Sequence, residues 1–143
     1  MRFWDSSAIV PLCVNEPRSG DARDLVQQDQ AVAVWWATRT ECVSALTRRM
    51  REGELTVDGY RAARRILGVL AEAWVELLPS EAVRASAERL LAVHALRAAD
   101  AFQLAAALGW CAGRPAGHGL VTLDDRLRDA AFREGFDTLP EEG

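Results

Sequence analysis

LVTLDDRL, residues 120–127, joins an apolar run to an amphipathic stretch through two adjacent aspartates. Leu120 to Leu123 does not alternate in polarity, which is the pattern of a strand covered on both faces. Asp125 to Glu134 reads as a helix. Asp124 at the junction has two readings. Its carboxylate can accept hydrogen bonds from the free N–H groups of a helix start. It can also hold a metal ion. Asp125 beside it is either an acid that tunes the site, a solvent-facing residue, or the ligand itself.

The same strand–polar residue–helix arrangement recurs along the chain. Arg2-Phe3-Trp4 is a short strand that ends at Asp5, and Ala8 to Leu12 begins a buried helix. Residues 18–29 suit a polar surface helix. Ala31 to Trp36 is a β-branched apolar run, followed by a helix over Thr38 to Arg51. A longer helix over Asp58 to about Ala73 carries Tyr60, Ala63, Leu67, Leu70 and Trp74 on one stripe. Trp74 to Leu78 is a third strand, closed by Pro79. Helices follow over Ser80–His94 and Arg97–Ala112. Phe136 to Leu139 is a last strand. Strands alternating with helices predict an α/β fold: one domain over 1–143, with a parallel sheet of four to five strands and helices on both faces.

The 143 residues suffice for a core without disulfides or structural metals. Three cysteines, Cys13, Cys42 and Cys111, are an odd number in apolar contexts with no C-x-x-C. They read as buried thiols in a reducing cytosol. No apolar run approaches the ~18 residues of a membrane span, so the expected location is cytoplasmic. The net charge of −4 argues against a simple basic nucleic-acid binder. All 17 basic residues are arginine, which excludes any mechanism needing a catalytic lysine.

In open α/β sheets, ligands gather at the carboxyl ends of the strands. Asp5 and Asp124 fall there, and Glu41 lies at the start of the helix after strand two. Asp100 stands in the first turn of a helix whose only other polar side chains are Arg97 and Gln103. The helix dipole favours that carboxylate by roughly 0.3–1 kcal/mol, which does not offset burial of a lone charge. Each acid has a plain alternative. Asp5 and Asp124 can be caps, Thr38-Arg39-Thr40-Glu41 fits a capping box, and Asp100 can pair with an arginine. Together they would lie at one sheet edge or at the starts of neighbouring helices. Carboxylates brought to ~4 Å repel by about 4 kcal/mol per pair at an effective dielectric near 20. Such a cluster implies a hard divalent cation, and oxygen-only donors favour Mg²⁺ or Mn²⁺ over zinc.

These motifs resemble the PIN-domain family, specifically the VapC-type toxin ribonucleases of bacterial toxin–antitoxin pairs. FWDSSAIV matches the opening strand and acid-plus-hydroxyl motif, placing the first acid at Asp5 and the hydroxyl at Ser6. TRTECVSAL places the second acid at Glu41, LRAADAFQLAAAL the third at Asp100, and LVTLDDRLRDAA the fourth at Asp124. Asp125 departs from the family, which often has a basic or neutral residue there. The resemblance implies Mg²⁺- or Mn²⁺-dependent RNA cleavage. Asp5, Asp100 and Asp124 would hold metal, and Glu41 would bind a second ion or orient water. Ser6 and Thr122 would be supporting or phosphate-contacting hydroxyls, with Arg39 or Arg97 near RNA phosphates. It further implies an antitoxin partner and a homodimer. On that view part of the Leu67-Leu70-Trp74 stripe faces the antitoxin; otherwise it is core.

Other readings fit less well. A receiver domain normally pairs acids after strand one and uses a lysine. A haloacid-dehalogenase-type phosphatase wants Asp-x-Asp where Asp5-Ser6-Ser7 stands. A non-catalytic RNA-binding or scaffold PIN domain should have lost acids, and this chain keeps all four. His94 and His118 lie far from the acidic motifs and read as ordinary residues. The tryptophans read as core, although neighbours Trp35 and Trp36 point to opposite sides of a strand, so that one covers a helix layer and the other lines the site.

Overall fold

In the computed structural model, which describes residues 1–142, five strands form one parallel sheet in the order β3-β2-β1-β4-β5. The strands are β1 (Arg2–Trp4), β2 (Val32–Trp35), β3 (Val75–Leu77), β4 (Gly119–Val121) and β5 (Asp137–Leu139). The helices are α1 (Ser6–Cys13), α2 (Ser19–Gln28), α3 (Thr38–Arg51), α4 (Val57–Ala73), α5 (Glu81–Val93), α6 (Ala98–Trp110) and α7 (Asp125–Glu134). The expected α/β class and the upper strand count hold.

Successive strand residues enter opposite cores because side chains alternate across a sheet. Phe3, Ala33, Trp35 and Leu120 pack with Val83, Leu90, Leu104 and Leu127 of α5, α6 and α7. Trp4, Val32, Val34 and Val121 pack with Ile9, Leu25, Leu46 and Leu67 of α1 to α4. Helices therefore cover both faces, which is why the strands carry no polar alternation. The α4 stripe belongs to this second core: Leu67 and Trp74 are buried and Leu70 packs beside them. The exposed large hydrophobic residues of α4 are Val57, Ile66 and Val69. All three cysteines are free and buried. Among the described residues, no single helix is long and apolar enough to cross a membrane.

Local chemistry sets the element ends. Ser80 caps α5 by accepting the Val83 N–H at 3.1 Å, and Thr56 caps α4 through Gly59 at 2.9 Å. Gly135 ends α7 with φ of 109°, a conformation that favours glycine. Trp36 lies just beyond β2, where it leaves the strand alternation.

Candidate active site

β1 sits between β2 and β4. From β1 the chain runs outward through β2 to β3, then returns to the other side of β1 through α5 and α6. The β1–β4 boundary is thus a switch point, where diverging connections leave a crevice at the carboxyl ends. Asp5 follows β1, and its N–H donates to the Val121 carbonyl at 2.9 Å, extending the ladder one residue into the crevice.

Asp5 is only 4% exposed. One carboxylate oxygen accepts from the Ser7 hydroxyl at 2.6 Å, the Thr122 hydroxyl at 2.9 Å and the Ser7 N–H at 3.4 Å. The other oxygen has the Ser6 hydroxyl at 3.4 Å. The two hydroxyls accept in turn from the loop after β4: the Leu123 N–H donates to Ser7 at 2.9 Å and the Asp124 N–H to Thr122 at 3.1 Å. Backbone donors of the final motif are thereby relayed through two hydroxyls onto the first acid. Burial pushes the Asp5 carboxyl up, the Ser7 and Thr122 hydrogen bonds oppose the rise, and the Asp100 charge adds to it.

Asp124 caps α7, its Oδ1 accepting the Leu127 N–H at 3.0 Å. Asp5 likewise caps α1. For both residues the cap reading holds, and neither cap uses up the carboxylate's oxygens.

The capping box over Thr38–Glu41 does not form. Ala37 holds the cap position of α3 without a side-chain bond. The buried carboxamide of Gln103, from α6, instead donates from Nε2 to Glu41 Oε1 at 2.6 Å and to the Thr38 hydroxyl at 2.9 Å. Tertiary packing supplies a donor that local sequence does not show. Burial pushes the Glu41 carboxyl up; the Gln103 bond opposes, and the charges of Asp5 and Asp100 raise it further. Asp100, partly buried in the first turn of α6, is also pushed up by burial and by the Asp124 charge. The Arg97 backbone N–H and the Arg97 and Arg126 charges counter that.

The four acids come from four segments and are linked through Asp100, which raises Asp5 and Glu41 and is itself raised by Asp124. Among the described residues, none of them joins an ion pair. Nor are three Asp, Glu, His or Cys side chains gathered closely enough to enclose an ion as they stand. The donors of the four acids are all hard oxygens, a set that fits Mg²⁺ or Mn²⁺.

Other residues sort clearly. Ser6 flanks Asp5 and Glu41, while Ser7 carries the stronger bonds to Asp5. Asp125 is exposed at the first position of α7. Arg97 and Arg126 act on Asp100; Arg39 is exposed on α3. Ser7, Gln103, Arg126 and Arg128 escaped the sequence reading. For Gln103 a signal existed, since it lies one turn after Asp100 in an otherwise apolar helix. Arg128 is buried, and its guanidinium donates to the Thr122 carbonyl and to the Pro140 carbonyl at 2.7 Å.

The sequence pattern of the PIN domain matches residues 2–133. Among solved structures, the chain is similar to VapC20 of Mycobacterium tuberculosis, described as a sarcin–ricin loop cleaving toxin. That similarity has 19% identity and a TM-score of 0.68, covering 91% of this chain and 95% of that one. PAE2754 from Pyrobaculum aerophilum is similar at 22% identity and a TM-score of 0.68, covering 96% of this chain and 88% of that one. At these identities the likeness is one of fold. No curated protein matches the sequence.

Proposed function

The chain belongs to the PIN-domain family, and from that premise we propose that it is a metal-dependent ribonuclease, the toxin of a toxin–antitoxin pair. What supports the reading is the PIN-domain match together with the coupling of Asp5, Glu41 and Asp124 to Asp100, none of the four being ion-paired among the described residues. The similarity to a sarcin–ricin loop cleaving toxin supports RNA as substrate and an antitoxin as partner.

Asp5, Asp100 and Asp124 would hold Mg²⁺ or Mn²⁺, with Glu41 holding a second ion or orienting the attacking water. A bound ion would supply activation of water and neutralise charge building up in an in-line displacement at phosphorus. The hydroxyls of Ser7 and Thr122 hold Asp5 in one rotamer. Gln103 holds Glu41 toward α6 by donating to its Oε1. Arg97 and Arg126 provide positive charge beside Asp100 for a phosphate backbone. Cleavage adds water across a P–O bond: the new P–O bond forms as the bond to the leaving ribose oxygen breaks, and that oxygen takes a proton. We place the protein in the cytoplasm as a homodimer; sedimentation should give twice the chain mass.

The test is cleavage of single-stranded RNA by purified protein with Mg²⁺, with Mn²⁺ and with a chelator. Activity should need the metal and vanish in Asp5→Asn and Asp100→Asn, with circular dichroism unchanged. Equal cleavage by both variants and the wild type, at matched purity, rejects the site.

A further inference from the structure

Trp36 is 54% exposed in a segment whose other aromatic residue is buried. Its position is fixed, because its N–H donates to the Leu77 carbonyl at 3.0 Å. The indole borders a groove of about 610 Å³, floored by Trp35, Ala37 and Phe102 and sharing Glu41 with the acidic crevice. That volume lies within the roughly 300–1,000 Å³ of small-ligand sites. Trp35 and Phe102 stack with centroids 5.6 Å apart and planes 2° from parallel. The floor is thus a rigid aromatic layer, and Trp36 stands free at its edge.

We propose that this groove is a stacking subsite for the RNA nucleobase next to the scissile phosphate, with Trp36 as its platform. The inference rests on the ribonuclease reading. Three features select a base. Glu41 lines the groove and couples to Asp5 and Asp100, so the groove adjoins the acids and the base beside a phosphate held there would meet Trp36. The groove's charges disfavour phosphate: Glu41 and Glu81 are carboxylates, and Arg84 is engaged by Glu81. The remaining surface is flat, apolar and aromatic, which suits an uncharged ring face. Stacking of this kind tolerates any base, so the subsite contributes affinity and register more than sequence choice.

The test pairs protein and substrate changes. A short single-stranded oligoribonucleotide is scanned with single abasic nucleotides around its cleavage site, using wild type, Trp36→Phe and Trp36→Ala. One abasic position should lower wild-type kcat/KM by roughly 5- to 100-fold. In Trp36→Ala the same position should cost little, because the contact is already lost, and Trp36→Phe should restore most of the penalty. An undiminished penalty at every position in a folded Trp36→Ala overturns the subsite while leaving the nuclease reading intact. Binding without metal separates the two. The oligoribonucleotide should quench Trp36 fluorescence, measured as the difference between wild type and Trp36→Phe. Quenching without any cleavage by wild type sinks the nuclease and keeps the base site. No quenching overturns the base site, as does an amphipathic peptide binding over Trp36 instead.

Discussion

Gln103 and Ser7 show how single side chains define the site. Each touches an acid and neither is itself acidic. Groups that orient metal ligands typically change metal affinity or activity 10- to 100-fold when removed. Gln103→Leu should therefore lower cleavage by about that factor, because Glu41 loses its 2.6 Å donor while the apolar volume is kept. Metal-titrated kinetics check this; an unchanged metal dependence and rate would reject the role. Ser7→Ala should also destabilise by about 1–3 kcal/mol, because the Leu123 N–H is left without its acceptor. Urea denaturation measures that loss. Asp124 illustrates a residue with two roles: one oxygen caps α7 while the carboxylate's charge raises the proton affinity of Asp100.

Among the elements, α7 is tied down most unusually. Its Arg128, buried beneath the final motif, holds carbonyls on both the β4 exit and the C-terminal segment. A charged donor of this kind contributes about 1.5–3 kcal/mol. Arg128→Met should lower stability by roughly that amount. It should lower cleavage as well, since the Thr122–Asp124 turn loses its anchor. Thermal melts with parallel rate measurements distinguish this from a purely structural role, which would leave the rate of the folded fraction unchanged. An ordinary cap supplies the contrast. Ser80→Ala removes only the Val83 bond of α5 and should cost about 1 kcal/mol. Element positions were largely legible because strand and helix periods differ. The Thr38 capping box was not, since its competitor, Gln103, is 62 residues away from Glu41.

At the level of the whole molecule, the cluster places like charges where burial has already raised their proton affinity. For Asp5, Glu41 and Asp100 the folded values lie above the unfolded ones, so these groups support the fold at pH below the ordinary carboxylate range. That support is lost as pH rises through the raised values. Without metal, Asp100→Asn should therefore melt higher than wild type, with the gap widening as pH rises through that window. Saturating Mg²⁺ or Mn²⁺ should narrow the gap by stabilising the wild type. A gap independent of pH and metal would contradict this electrostatic account. The sequence by itself determined the alternation of four to five strands with helices and supplied the four acids, because burial on both faces and chain-local periodicity are written residue by residue. Tertiary structure alone decided which donors those acids receive, that Trp36 leaves β2 to stand at the crevice, and that the α4 stripe is core. Each depends on residues distant in sequence meeting across the β1–β4 switch point, across the β2–β3 pair or between layers, where geometry rather than local pattern sets the partner.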